Sequence, residues 1–259
     1  MIDVKVNPPS GTLVLNRPER CNALSREMIQ GLIRGLDDLH QQKNVRGVIV
    51  TGSGSHFCTG LDVHQLKETG EQPDADRQQQ WLEDIELVHE LLLKMLQFPK
   101  PLIAAVDGMA SGSGLALMLA CDLVVASHRA TVELPAARLG VVSGLAIPLL
   151  TFRAGASTAA RIVLGGDRIT ASEAKSLGMV HHVVEADQIW VRSQHWVEEI
   201  AGGAAEALQL SKRLLNETVG ESLQTWLSVA AAAAATSLTT EAASEGLQAF
   251  TEKRQPKFP

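Results

Sequence analysis

The stretch of sequence that decides the fold is LIAAVDGMASGSGLALML, residues 102–119. Its first five residues form an uninterrupted apolar run, which is typical of a strand buried on both faces of a parallel sheet. The following residues, 107–114, contain three glycines and predict a tight turn. The apolar segment from about Leu115 predicts a buried helix. A strand, a glycine-containing turn and a helix in this order favour an α/β fold.

The rest of the chain extends this alternation. The strand predicted at Val45–Thr51 leads into a second glycine-containing turn, FCTGLD, at residues 57–62. The polar segment Leu66–Gln80 predicts a mobile surface loop, followed by a helix over Trp81–Leu96. Strands and helices alternate to about residue 184, and the sequence after Asp187 predicts helices with breaks near Gly202 and Gly220.

Composition excludes several classes of protein. The chain has 259 residues, 45% of them apolar, and a net charge of −6, which argue against disorder and against a nucleic-acid partner. Its apolar tracts are shorter than the roughly 20 residues that a membrane-spanning helix needs, so no membrane partner is expected. Cys21, Cys58 and Cys121 form neither a disulfide framework nor a zinc spacing, which favours a reducing compartment and predicts a cytoplasmic protein.

The turn before Leu115 places free backbone N–H groups at the N-terminus of a helix, where the helix dipole is positive. Two such groups that converge on one point would hold a developing oxyanion. The alternative interpretation is that the glycines only make tight turns. A dinucleotide fingerprint would require glycine at position 117, which is Leu117, so that interpretation is excluded.

The chain resembles the crotonase (enoyl-CoA hydratase/isomerase) superfamily over almost its whole length. The matching stretches occur in the family order: LNRPERCNAL (15–24), FCTGLD (57–62), KPLIAAVDG (100–108), ACDL (120–123), RLGV (138–141), ASEAKSLGMV (171–180) and AFTEKRQPKF (249–258). The resemblance implies a crotonase-type spiral of ββα units over residues 1–200. It also implies a C-terminal helical region over residues 201–259, which builds a homotrimer or a dimer of trimers and contributes to the coenzyme A site.

The resemblance further implies an acyl-CoA substrate, as in fatty acid metabolism, with coenzyme A as part of the substrate and no tightly bound cofactor. The oxyanion hole would consist of the backbone N–H groups of Leu61 and Ser113, which would stabilise a thioester enolate. The residues implied in coenzyme A binding are Cys21, Ala23, Thr59, Asp62, Val63 and, reaching from a neighbouring subunit, Phe250 and Lys253. Asp62 is also expected to cap the segment that follows it.

Three departures from the family pattern concern the acid and base. The two glutamates of a family hydratase correspond to Ala116 and Ala136, and the acid of some isomerases and of a dehalogenase corresponds to Gly144. Alanine and glycine cannot transfer protons, so a two-glutamate hydration mechanism is not expected. The weak candidates to replace these acids are His89, Glu133 and Arg138. His64 is expected to face solvent.

Several functions therefore remain open. The first is an acyl-CoA lyase or isomerase that relies on enolate stabilisation. Within it, decarboxylation of a malonyl-type thioester or attack by an external nucleophile needs fewer protein acids than hydration. The second is a thioester hydrolase that uses Ser111 or Ser113 with a histidine. The third is a protein that binds CoA thioesters with little catalysis.

Overall fold

The computed structural model describes residues 1–218 and 221–258. The strands are β1 Ile2–Asn7, β2 Ser10–Leu15, β3 Gly47–Gly52, β4 Leu102–Val106, β5 Met109–Ser111, β6 Leu123–Ser127, β7 Thr131–Glu133, β8 Ile169–Thr170 and β9 His182–Val184. The helices are α1 Arg26–Gln41, α2 Val63–Gly70, α3 Asp74–Gln97, α4 Ser113–Ala120, α5 Ala146–Gly165, α6 Ala171–Ser176, α7 Ile189–Ala201, α8 Ala205–Arg213, α9 Glu221–Leu238 and α10 Glu241–Thr251.

The strands form two sheets. The larger sheet has the order β1-β2-β3-β4-β6-β9 and is parallel except for the β1–β2 hairpin. The smaller sheet has the order β5-β7-β8, and a bridge between Cys58 and Ala110 lies beside it. Each turn of the spiral thus adds one strand to the large sheet, then a short strand or bridge beside that sheet, and then a helix. This arrangement confirms the predicted spiral.

Alternation along the central strands explains how the large sheet is covered on both faces. On β3, Val48 and Val50 face the main core, which contains the apolar face of α1. Ile49 between them faces a second cluster, which includes Ile189 and Val197 of α7. Because both faces are buried, these strands contain continuous apolar runs.

The C-terminal helices pack on the core through a buried ion pair. The Lys212 ammonium of α8 donates to a carboxylate oxygen of Asp122 at 2.7 Å, and Asp122 also accepts the Leu102 N–H. α7 ends at Ala201, which confirms the break predicted near Gly202, whereas the break predicted near Gly220 lies outside the described residues. No helix in the described part of the chain is both long and apolar enough to cross a membrane.

The prediction of a loop over Leu66–Gln80 is wrong. α2 begins at Val63, where the Asp62 side chain accepts the His64 N–H at 3.0 Å, and only a short connection separates α2 from α3. Leu66 and Thr69 are the buried residues of α2, and the Trp81 indole N–H donates to the Leu66 carbonyl. The polar residues of the segment Leu66–Gln80 therefore form the solvent-facing sides of two amphipathic helices.

Candidate functional site

The two glycine-containing turns lie side by side. The Cys58 N–H donates to the Met109 carbonyl at 3.0 Å, and the Ser111 N–H donates to the Cys58 carbonyl at 2.9 Å. These bonds bring the next residues of the two turns, Gly60 and Gly112, into contact. A Cβ built on Gly112 would lie 3.7 Å from the Gly60 Cα. Residues about fifty positions apart in sequence therefore share one edge of the fold.

Glycine is required at Gly60 for two reasons. Its φ is +97°, a conformation that residues with a side chain rarely adopt. A Cβ there would also lie 3.1 Å from the Ser111 carbonyl oxygen and 3.3 Å from the Ser113 nitrogen. The peptide between Gly60 and Leu61 thus lies close to the N–H of Ser113, the first residue of α4. Two amides must be this close to donate to the same oxygen atom.

The hydrogen bonds around these two peptides leave their N–H groups free. The Leu24 N–H donates to the Gly60 carbonyl at 2.7 Å, and the Asp62 N–H donates to the Leu24 carbonyl at 3.0 Å. Leu61 lies between these two bonds, so its own N–H points to the other side of the strand. Within residues 1–218 and 221–258, neither the Leu61 N–H nor the Ser113 N–H donates to a protein acceptor.

Both residues line one cavity of about 110 Å³. Its other walls come from the segment 135–146, α2, α3, α9 and α10. The polar side chains of the lining are hydroxyls, those of Thr59, Ser111, Ser113 and Ser143. Among the described residues, no carboxylate, imidazole, thiol or cationic side chain borders this cavity. The environment is therefore apolar, and the N-terminus of α4 provides its fixed positive potential.

A hydrogen-bond network holds the Leu61 turn in place. One Arg17 guanidinium nitrogen donates to Asp62 at 2.6 Å and to the Ala23 carbonyl at 3.2 Å. The Asn22 amide donates to the Ser53 and His56 carbonyls at 2.8 and 2.7 Å. Burial alone would raise the pKa of Asp62, but hydrogen bonds from Arg17 and from the backbone outweigh burial and lower this pKa. Asp62 stays ionised and caps α2, as predicted.

The residues implied in coenzyme A binding lie in three places. Thr59 and Val63 line the cavity, and the Thr59 hydroxyl donates to the Cys21 carbonyl at 3.3 Å, which connects the cavity to the turn that contains Ala23. The Asp62 carboxylate is instead engaged by Arg17 and does not line this cavity. Phe250 and Lys253 lie at the exposed end of α10, which packs against α2 of its own chain.

The weak acid and base candidates are not brought to the cavity. Glu133 forms an ion pair with Arg168 at 2.8 Å, and Arg138 is exposed and donates to the Gly166 carbonyl. His89 is half-buried on α3, where burial lowers its pKa. A role for one of these three residues on the substrate stays a prediction, which the lining of this cavity does not support. His64 is exposed, as predicted.

The positions of the missing acids are also informative. Ala116 is fully buried, whereas Ala136 and Gly144 line the cavity. A Cβ on Gly144 would lie 2.2 Å from the Ala230 carbonyl oxygen of α9, so no side chain fits there unless the backbone moves.

Burial raises the pKa of the Cys58 thiol to about 12, although a backbone hydrogen bond at Gly60 opposes this, so Cys58 is not an alternative nucleophile.

Sequence reasoning did not identify the apolar part of the cavity wall. Leu145 and Ala146 lie at the start of α5, and Ile85, Ala234 and Leu247 come from three other helices. None of these residues belongs to a motif. The available signal was Gly144, whose missing side chain allows α9 to pass at short distance.

Comparison with known proteins identifies the family of this chain. The family model described as enoyl-CoA hydratase/isomerase matches residues 11–259. A putative enoyl-CoA hydratase of Thermus thermophilus is 36% identical over 244 residues, which cover 94% of this chain and 95% of that protein. The 1,2-epoxyphenylacetyl-CoA isomerase of Escherichia coli is 30% identical over 250 residues, with 95% of this chain and 94% of that protein covered.

Among solved structures, an enoyl-CoA hydratase from Mycobacterium avium subsp. paratuberculosis superposes with a TM-score of 0.87 at 25% identity and covers 100% of this chain and 98% of its own. The superposition extends over the spiral and the C-terminal helices alike. The chain therefore belongs to the enoyl-CoA hydratase/isomerase family and has the fold of the crotonase superfamily.

Proposed function

We propose that the protein binds an acyl-CoA thioester whose carbonyl oxygen accepts hydrogen bonds from the Leu61 and Ser113 N–H groups. The observation that carries this proposal is that two free amides border one apolar cavity at the point where their chains touch. Negative charge that develops on the oxygen of a thioester enolate would be stabilised there by fixed dipoles, which are most effective where water is excluded.

The lining supports a reaction that needs no acid or base from the protein. Decarboxylation of a malonyl-type thioester meets this condition. The bond between the α carbon and the carboxylate breaks, its electron pair moves into the enolate, and carbon dioxide leaves. The enolate oxygen is held by the two amides, and the α carbon then takes a proton from water. Hydration by two glutamates is not supported, because Ala116 and Ala136 stand at their positions.

Of the two other functions, the hydrolase has less support. A hydrolase would need a histidine beside Ser111 or Ser113, and no histidine lines the cavity within the described residues. A protein that binds thioesters without turnover has the same binding geometry, so only an activity measurement distinguishes it from the enzyme.

We place coenzyme A at the side of the cavity formed by Thr59 and Val63, next to the turn that contains Cys21 and Ala23, with Phe250 and Lys253 at the nucleotide end. The half-exposed Phe250 ring offers a stacking surface, and Lys253 offers a charge for a phosphate. Asp62 serves this site indirectly, because its ion pair with Arg17 fixes the turn that carries Leu61.

A homotrimer, alone or as a dimer of trimers, is proposed for the assembly. Large apolar side chains are exposed on and near α8 and α9: Leu210, Leu214, Leu215, Trp226 and Val229. Exposed apolar residues that cluster in this way favour a protein interface. Light scattering coupled to size-exclusion chromatography measures the assembly directly.

The testing experiment combines calorimetry with a panel of CoA thioesters. We expect butyryl-CoA to bind and malonyl- or methylmalonyl-CoA to lose carbon dioxide. We also expect crotonyl-CoA hydration to stay far below the usual kcat range of about 1–10³ s⁻¹. Hydration within that range would contradict the proposed reaction class. An acyl-enzyme adduct in mass spectrometry would favour the hydrolase, and binding without any turnover would favour the binding protein.

A further inference from the structure

A second cavity, of about 460 Å³, adjoins the first one. The two share Leu247 of α10, and α2, α3 and α9 also contribute residues to both cavities. Leu66 lines the first cavity and Lys67 the second. Ile85 and Trp81, four residues apart on α3, line the first and the second cavity respectively, and Ala234 and Leu238 on α9 do the same. The second cavity is therefore displaced by about one helical turn, ~5.4 Å.

The two cavities differ in polarity. The first has no charged side chain in its described lining, whereas the second is lined by Lys67 and Arg77 together with Glu71 and Glu241. The acids lie toward solvent: the Glu71 side chain is 69% exposed and 3.8 Å from Lys67. The cations are less exposed, with 38% for Lys67 and 29% for Arg77. The inner charge of the second cavity is therefore positive.

Arg77 is fixed in place but not fully paired. Its guanidinium donates to Asp74, a side chain that is 85% exposed, and to the Gly70 carbonyl, and it lies 5.5 Å from the centre of the Trp81 ring. Its Nε is buried and has no hydrogen-bond partner among the described residues. A buried donor without a partner is costly, so this nitrogen favours an acceptor supplied from outside the chain.

We infer that the acyl chain of the substrate is of medium length and ends in a distal carboxylate, which a malonyl-type substrate would carry in addition to the α carboxylate that it loses. Adipyl- and suberyl-CoA have this distal carboxylate and no α carboxylate, so they serve as unreactive ligands for calorimetry. The thioester lies in the first cavity, the acyl chain passes beside Leu247, and the distal carboxylate pairs with Lys67 and Arg77 in the second. This inference rests on the proposed function. Charge-assisted hydrogen bonds to a carboxylate are the stronger class of hydrogen bond, and Lys67 and Arg77 both line the second cavity. A short diacid would not span the distance of one helical turn.

Calorimetry with length-matched pairs tests this inference: adipyl- against hexanoyl-CoA and suberyl- against octanoyl-CoA. We expect the diacid thioester of at least one pair to bind about tenfold more tightly. Succinyl-CoA is expected to have no such advantage over butyryl-CoA. K67M/R77M is expected to abolish the preference and leave the affinity for hexanoyl-CoA unchanged. K67M alone, which breaks only the long pair with Glu71, is measured in parallel and is expected to reduce the preference.

K94M is the matched control. Lys94 lies on α3 as Arg77 does, is similarly exposed and pairs with Asp37 at 2.6 Å, but lines neither cavity. Equal affinities within both matched pairs, or a preference that persists in both K67M and K67M/R77M, would overturn the inference and leave the proposed function intact. If no thioester binds, the proposed function and this inference both fail.

Discussion

Replacing Ser113 by proline would remove one of the two free amides while leaving the fold intact. Ser113 is the first residue of α4, where the N–H makes no intrahelical hydrogen bond. Proline is well accepted at this position, because its fixed φ near −65° is already helical. S113P therefore deletes this donor and places the proline Cδ where the N–H had pointed, so the thioester oxygen loses both the hydrogen bond and part of its space.

The size of the effect follows from the composition of the cavity. Two amides border it, and no charged side chain of the described lining is available to replace the lost donor. Removal of one oxyanion donor costs about 2.7–4 kcal/mol in transition-state stabilisation, or roughly 10²–10³ in kcat. We expect a loss in this range, with a smaller change in the affinity for the thioester.

The assay is turnover of the panel substrate that the wild-type protein converts fastest, with product formation followed by liquid chromatography. S113A is the matched control, because it removes the hydroxyl and keeps the N–H. We expect S113A to retain activity within a few-fold of wild type. Circular dichroism and thermal melting establish that both variants are folded.

Two results would refute the reasoning. If S113P retains activity close to that of S113A, the Ser113 amide does not stabilise the transition state. If S113A loses as much activity as S113P while both are folded, the hydroxyl of Ser113 is the functional group and the oxyanion assignment is wrong.

Three further predictions concern the acids and the supporting structure. A116E/A136E is expected to raise crotonyl-CoA hydration well above the wild-type background, toward the 10²–10⁴-fold that general acid–base groups contribute. Because Ala116 is fully buried, circular dichroism must first establish that the variant is folded; no gain in a folded variant would mean that the cavity has diverged beyond these two positions. Because the pKa of Asp62 is lower in the folded state than its unfolded value near 4, its stabilisation is present above that pH and is lost as pH falls through the folded pKa. Urea unfolding of wild type and D62N at neutral and acidic pH should therefore show a smaller acid loss in D62N, and equal losses would contradict the role of the pair with Arg17. G144A is expected to lower stability by about 1–3 kcal/mol through the collision with α9, and an unchanged melting temperature would contradict the packing described.

The strands and turns that form the oxyanion site could be predicted because their signals are local. The apolar run 102–106 and the glycines after it each depend on neighbouring residues, and both predictions are confirmed. The pairing of the two turns is not local. The prediction that the two turns meet came from the resemblance of the sequence to a family. The hydrogen bond from the Ser111 N–H to the Cys58 carbonyl shows that the turns are adjacent.

The errors have physical causes of two kinds. The Leu66–Gln80 segment contains few apolar residues, so its hydrophobic periodicity was too weak to predict helices. The buried face of α2 consists of two residues, Leu66 and Thr69. The acid and base candidates do not line the cavity, and the tertiary partners that hold them elsewhere are invisible in sequence: Glu133 pairs with Arg168, which is 35 residues away. The far wall of the cavity, from Ser143 to Leu247, is assembled only when distant helices pack.

The most direct measurement of the central claim is the carbonyl stretch of a bound thioester in isotope-edited infrared spectroscopy. With [1-¹³C]butyryl-CoA, two hydrogen bonds from Leu61 and Ser113 would polarise the carbonyl and move its stretch to lower wavenumber than in water. We predict this shift in wild type and in S113A, and a clearly smaller shift in S113P. A bound carbonyl whose stretch equals or exceeds the aqueous value in the wild-type protein would contradict the account.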